Sequence, residues 1–467
     1  MRARGLTRRE LLRGALAAGL GGAALAACSR ANERPAQPSD WAPGRPLPWR
    51  NWSGLETCVP AARAAPGSEA EVAALLRSAS GAVRPAGAGH SFSALVPSDG
   101  TLVFLDALTG VVSADAATSS AEVWAGTRLS QLGLALAALG QAMPNLPDIE
   151  YQTLGGAIAT STHGTGATLG SLASCVTALT LATPAGELLE CDASRNTEVF
   201  HAARTSLGAL GVVTRVRLAN RAAFQALERT RFVELDALLA DLPRLRDENR
   251  HFEFYAFPHA SVALAIDTNE SSEPPRKVGD DDPEAVYLLR TLFRLTRRVP
   301  VFGERMYDAF LRSQPPTEHL DTSWSVLAHP RTVPFNEMEY TLPAEQGPAC
   351  LREVLTEIRA RDLDSCFPIE CRFVRRDDVW LSMFHERDGF TISIHQYVDQ
   401  DWRPYFAALE PIFWKHGGRP HWGKLHSLDA PRLAALYPRW AAFQKVRRAL
   451  DPGGRLANAH LARVLGT

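Results

Sequence analysis

Three short stretches carry side chains that could do chemistry together. In "PIECRFV" (368–374), Glu370 and Arg372 stand two apart, which points both to one face of an extended chain. A carboxylate accepts hydrogen bonds and a guanidinium donates them, so the pair suits a hydroxyl-rich small molecule. The same spacing also fits a surface cross-strand ion pair. The apolar neighbours Phe367, Ile369 and Phe373 argue against full exposure. In "ISIHQYV" (392–398), His395 and Tyr397 form a second same-face pair, and Lys424 ends "RPHWGK" (419–424). His416, His421 and His426 recur at intervals of five, which does not fit helical ligand geometry, and glycines and Pro420 break any helix there. No zinc site is expected, and no CxxC pattern points to one.

Three glycine-rich stretches suggest what these groups act beside. The first is "VRPAGAGHSF" (83–92). Its small residues let backbone N–H groups approach a phosphate closely. The third glycine of a dinucleotide fingerprint is missing, and Pro97 and Gly100 leave no room for a following helix, so a Rossmann reading fails. The second, "TLGGAIATSTHGTG" (153–166), is expected to be another loop of donors suited to a pyrophosphate. The third is "GALGVV" (208–213). His90, at the end of the first loop, could be a metal ligand, a base, a structural histidine or an attachment point for a cofactor.

The elements that must position these residues alternate in type. Strands are predicted over 101–106, 121–126, two around the Pro-Ala-Gly turn of 176–191, and 210–219, with helices over 129–142 and 196–204. The second half predicts strands at 251–257, 261–266, 336–342, 368–374 and 390–398, and helices near 346–361, 403–416 and 430–449. Residues 270–335 show no clear strand pattern; a polar loop leads to a basic helix near Ala285 to Arg298. The class is α+β, with a domain boundary near Asn220 to Phe224.

The chain has 467 residues, enough for two substantial domains. Lys plus Arg number 50 against 51 for Asp plus Glu, so no basic excess supports nucleic-acid binding. Cys58, Cys175, Cys191, Cys350, Cys366 and Cys371 suggest no fixed pairing, and buried thiols are the default reading. The N-terminus reads as a signal. Arg8-Arg9 precede an uncharged run from Gly14 to Ala27, too short to span a bilayer, and the paired arginines resemble the twin-arginine type. Leu25-Ala26-Ala27-Cys28 resembles a lipobox, so residues 1–28 would be a signal with a possible lipid anchor at Cys28; ordinary cleavage after Ala26 is the alternative. Residues 29–48, with Pro35, Pro38, Pro43, Pro46 and Pro48, read as a tether. The expected location is periplasmic or on the outer face of a membrane.

The order "RPAGAGHSF", "QTLGGAIATSTHGTG", "SLGALGVVT" resembles the vanillyl-alcohol-oxidase (PCMH) type of flavin domain. The later "FNEMEYTLP", "FPIECRFV", "ISIHQYV", "RPHWGK" and "LDPGGRLAN" resemble the aldonolactone oxidase branch, near the alditol oxidases. The resemblance covers essentially everything after the tether. It implies a two-part FAD-binding domain over 49–221, followed by an α+β substrate domain with an antiparallel sheet over 222–467. It further implies FAD linked covalently through His90. Pro85, Ala86, Gly87, Ala88, Gly89, Ser91, Asp148, Thr153, Gly156, Thr160, Ser161, Thr162, His163 and Val213 would line the FAD, with His421 near the flavin. Pro147 would sit beside the flavin's reactive edge, where side-chain size influences oxygen access.

The same resemblance puts Asp148, Glu370, Arg372, Tyr397 and Lys424 on the substrate. Alditol oxidases have serine at the Asp148 place and threonine at the Tyr397 place, so a different sugar derivative is expected. The implied reaction oxidises an aldono-1,4-lactone at the carbon bearing the 2-hydroxyl, with hydride passing to flavin N5 and electrons to oxygen or a respiratory carrier. Arg372 and Lys424 would favour the developing alkoxide, Glu370 would orient the sugar, and His395 is a candidate for removing the proton. The alternatives are an alditol oxidase acting on a terminal hydroxyl and, lower, a sugar-binding lipoprotein without catalysis.

Overall fold

Three sheets organise the chain in the computed structural model, which describes residues 47–279, 285–297, 302–329 and 331–466. The twin-arginine-like run, Cys28 and nearly all of the tether lie outside the described residues, as does Arg298. A small parallel sheet sets Thr101–Val103 between Ala62–Ala64 and Val83–Pro85. Beside it, an antiparallel sheet runs in the order Leu188–Asp192, Val176–Ala182, Val212–Ala219, Ser120–Trp124, Val111–Asp115. Val83–Pro85 ends where the first glycine loop begins, so the parallel sheet aims that loop.

The large sheet has nine strands, antiparallel at every pairing. Its order is Arg276–Val278, Thr317–Thr322, Gln225–Glu234, Val262–Glu270, His251–Ala256, Ile369–Val374, Gly389–Tyr397, Phe335–Pro343, Arg419–Pro420. Its central strands are buried on both faces. One face carries Ile369, Cys371, Ile392 and Ile394 into the main core with Leu351 and Val354 of the Gly347–Ala360 helix and Phe406 and Leu409 of the Arg403–Lys415 helix. Strand alternation therefore leaves Glu370 and Arg372 on the opposite face, away from that core.

Three expectations are corrected. The helix predicted over 430–449 is two, Ala430–Leu436 and Trp440–Leu450. Tyr437 between them is extended (φ −111°, ψ 109°), in keeping with Pro438 after it, since proline disfavours the helical region for the residue before it. Residues 270–335 do contain strands, Arg276–Val278 and Thr317–Thr322, at the sheet edge. Their sequence hides them, since "TEHLDT" buries one large apolar residue, Leu320. The second glycine-rich stretch opens as a helix, Leu154–Ala159, capped by Thr153, whose hydroxyl accepts from Gly156 N.

The described residues form one compact unit. Its C-terminus returns to the first glycine stretch. Arg455 O accepts from Val83 N at 2.9 Å, and the buried Arg84 guanidinium donates to Leu95 O, Leu207 O, Gly208 O and Leu456 O. The six described cysteines are all free thiols.

Candidate active site

A cleft opens along the three glycine-rich stretches. Of the residues expected to hold a cofactor, Pro85 through Ser91, Thr153, Gly156, Thr160 and Val213 line it. The walls are closed up by glycine. A Cβ on Gly87 would stand 2.3 Å from Thr153 Oγ1, and Gly208, at φ +66°, would place one 2.6 Å from Pro85 Cγ. Gly155 and Gly211, from the second and third glycine-rich stretches, also line the cleft, as do Arg84, Gln152 and Leu207, whose side chains were not singled out.

Ser161, Thr162, His163, Asp148 and His421 are not among the lining residues. Ser161 Oγ donates to Ser382 Oγ at 3.2 Å, and Thr162 Oγ1 lies 3.4 Å from Thr160 Oγ1. His163 and His421 turn instead toward the large sheet. Asp148 pairs with Arg331, with His329 Nδ1 3.3 Å away.

His90 sits at one end of this cleft between two aromatic rings, Trp52 at 5.4 Å and Tyr151 at 6.5 Å, both stacked. Its Nδ1 is buried with no hydrogen-bond partner among the described residues. Burial, aided by the nearby charges of Lys424 and Arg128, pushes its pKa down to about 4. A neutral imidazole with an unpartnered ring nitrogen, in a residue that lines the glycine-walled cleft, fits a group bonded to that nitrogen.

The "RPHWGK" segment joins this end of the cleft to the acid–base residues. Phe92 N donates to Gly423 O at 2.7 Å and Ser93 Oγ to Trp422 O at 2.8 Å. Lys424 Nζ then lies 5.0 Å from the centre of the Phe92 ring and bonds Glu337. Glu337 Oε1 is 3.6 Å from His395 Nε2. Burial pushes the Glu337 carboxyl up, but Lys424 and His395 outweigh it and hold it at about 2.

Next to this triplet lies a longer chain of charges. Arg372 Nη2 is 2.8 Å from Glu370 Oε2 and 3.2 Å from Glu339 Oε2. Tyr255 Oη donates to Glu370 Oε1 at 2.7 Å. Glu339 also accepts from Ser393 Oγ at 2.8 Å, and its other oxygen is 2.6 Å from His163 Nε2. Burial raises the Glu339 carboxyl, but His163, Arg372 and His421 together bring it well below the usual carboxylate range. Burial lowers the Arg372 guanidinium, and Glu370 and Glu339 reverse this, so it stays charged. His421 is pushed down to about 3 by burial, and its Nδ1 accepts from Gly423 N.

The expected Glu370, Arg372, His395 and Lys424 are thus brought together, all at 14% side-chain exposure or less. Tyr397 is not joined to them by a hydrogen bond. Its hydroxyl donates to Val286 O at 2.5 Å, and its ring packs on Phe367 beside His395. Glu337 and Glu339 were missed. They alternate in "FNEMEYTLP", so both face the site, and two acids two apart flanking Met338 were the available signal. Two trios of these side chains, His163/Glu339/His421 and Glu337/Glu370/His395, have ligand atoms close enough for a cation. Arg372, Lys424 and Ser393 already engage the carboxylates within them.

Comparison with known proteins identifies the family. Residues 60–192 match an FAD binding domain, and residues 216–464 match D-arabinono-1,4-lactone oxidase. The chain is 36% identical over 428 residues to L-gulono-1,4-lactone dehydrogenase of Mycobacterium tuberculosis (strain ATCC 25618 / H37Rv), covering 90% of this chain and 99% of that one. It is 32% identical over 429 residues to L-gulonolactone oxidase of Bos taurus (89% and 98% covered). It is also 32% identical over 439 residues to alditol oxidase of a Streptomyces species (89% and 98% covered). The crystal structure of cholesterol oxidase from B. sterolicum shares the fold, with a TM-score of 0.72 at 16% identity over 93% of this chain and 100% of that one. The chain is an FAD-linked oxidoreductase that belongs to the D-arabinono-1,4-lactone oxidase family.

Proposed function

We propose that the protein oxidises a sugar-derived aldono-1,4-lactone at the carbon bearing the 2-hydroxyl, with FAD held covalently through His90 Nδ1. The observation that carries this reading is the buried Glu370–Arg372 pair, locked by Tyr255 and Glu339 beside Lys424. When bound, FAD supplies the acceptor for the two electrons. The glycine-walled cleft would take its pyrophosphate, and the sandwiched His90 its ring end.

The rest of the chemistry falls to side chains. Glu370 accepts from sugar hydroxyls and fixes the ring. Arg372, held in place by two carboxylates, offers its remaining donors to the oxygen that loses its proton. Lys424 adds a second cation, and the buried site makes both more effective than in water. His395, 3.6 Å from Glu337, is the group we assign to receive that proton, since the carboxylate stabilises the imidazolium that results. Electrons leave to oxygen or to a respiratory carrier. The twin-arginine-like run and the lipobox-like Cys28 support work outside the cytoplasm, attached by lipid.

Anaerobic mixing with gulonolactone, galactonolactone, xylitol and sorbitol tests the substrate class. The lactones should bleach the flavin and the polyols should not. Bleaching by polyols alone means an alditol oxidase, and a colourless purified protein ends the enzymatic reading. Timed reoxidation by air then separates oxidase from dehydrogenase.

A further inference from the structure

One charged pair at the rim of the site has no part in the chemistry above. Asp148 bonds the Arg331 guanidinium, and the two side chains are 24% and 33% exposed, against 8% or less for Glu370 and Arg372. The pairing is built by the backbone. His329 N donates to Asp148 O at 2.7 Å, and Ile149 and His329 form a parallel bridge. The strand-like piece ahead of Thr153 is pinned in turn, since Gln152 O accepts from Leu129 N and Tyr151 O from Arg128 Nη1. Tyr151 from this strap is one of the two rings beside His90. The Asp148–Arg331 pair is therefore tied by backbone bonds to the strap that sets Tyr151 beside His90.

Its charge sits in the field of Glu370, Arg372 and Glu337, yet its ion pair is with Asp148 alone among the described residues. Glu370 lies beyond ion-pair reach of it, being taken up by Tyr255 and Arg372. Glu370 on the buried side and the Arg331 guanidinium on the more exposed side each keep hydrogen-bonding capacity beyond these contacts. That arrangement fits a ligand carrying hydroxyls at both ends.

The geometry points to Arg331, oriented by Asp148, as a specificity-determining residue that takes the hydroxyl oxygens of the lactone's exocyclic side chain, while Glu370 and Arg372 take the ring. This rests on the lactone reading. An arginine held by a carboxylate loses little freedom on binding and rejects a ligand without the matching oxygens.

The test compares L-gulono-1,4-lactone with 2-hydroxy-γ-butyrolactone, which keeps the ring and the 2-hydroxyl but has no side chain. Each is titrated anaerobically against the bound flavin of the wild type, Arg331→Gln and Arg331→Lys, with flavin content and thermal midpoint read alongside. In Arg331→Gln the half-saturating gulonolactone concentration should rise about tenfold, as for one lost charge-assisted hydrogen bond. The value for the lactone without a side chain should stay within about twofold. Arg331→Lys should show the same selectivity at smaller size, and it carries the test if the glutamine variant does not fold. Equal changes for both lactones, or no change in either variant, overturn the role of Arg331 while leaving the lactone reading intact. Failure of both lactones to bleach the wild type overturns the two together.

Discussion

Glu339→Gln is the sharpest perturbation of this site. The amide keeps the shape of the carboxylate but removes the charge that Arg372 and His163 meet from opposite sides. At the 3.2 Å separation of Arg372 and Glu339, an effective dielectric of about 20 gives about 5 kcal/mol of attraction. Desolvation of both partners offsets part of this in the intact protein. In the variant, however, Arg372 stays buried with Glu370 as its one anionic contact, and breaking one side of a buried pair costs about 3–5 kcal/mol. The loss depends on pH. Glu339 has its folded pKa depressed below the ordinary 4.5, so its contribution is present above that value and fades as pH falls through the folded one. Urea unfolding of flavin-loaded protein should therefore show Glu339→Gln about 3–5 kcal/mol less stable at neutral pH, with the gap closing in acid below pH 4.5. A neutral-pH loss under about 1 kcal/mol, the range of a solvated pair, refutes the reasoning, as does a gap that does not shrink in acid.

Two further outcomes follow from the same contacts. His90→Ala should bind flavin that acid precipitation releases, whereas the wild type keeps its colour in the pellet; colour retained in both would falsify attachment at this residue. Lys424→Met should slow flavin reduction by lactone about a hundredfold, as for loss of one group stabilising a developing oxyanion. It should also move the acid limb of the pH profile upward, because Glu337 would lose the main charge that holds it at about 2; an unmoved limb would count against the Glu337–Lys424 coupling.

Much of this site can be read from the amino acids, and the misses have physical causes. Glu370 and Arg372 stand out because two charges alternate with Ile369, Cys371 and Phe373, which go to the core. Gly87, Ala88 and Gly89 stand out because small residues in a row let backbone N–H groups approach a phosphate closely. Glu337 and Glu339 alternate in the same way, but acids in a strand read as solvated until the neighbouring strands are known to bury them. Arg84 escaped notice because its four acceptors come from three separate parts of the sequence, around Leu95, Gly208 and Leu456. Thr317–Thr322, one strand in from the sheet edge, carries almost no apolar pattern, since it buries little. Asp148 was placed on the substrate by resemblance, and its bond to Arg331, 183 residues away, is a tertiary fact no local pattern encodes.

The central claim is that the C–H bond broken is the one at the carbon bearing the 2-hydroxyl. It is tested most directly by the rate of anaerobic flavin bleaching with gulono-1,4-lactone carrying deuterium at that carbon. The account predicts slower bleaching with the deuterated lactone than with the ordinary one, and a product that has lost the deuterium. Equal rates together with deuterium retained in the product would contradict it.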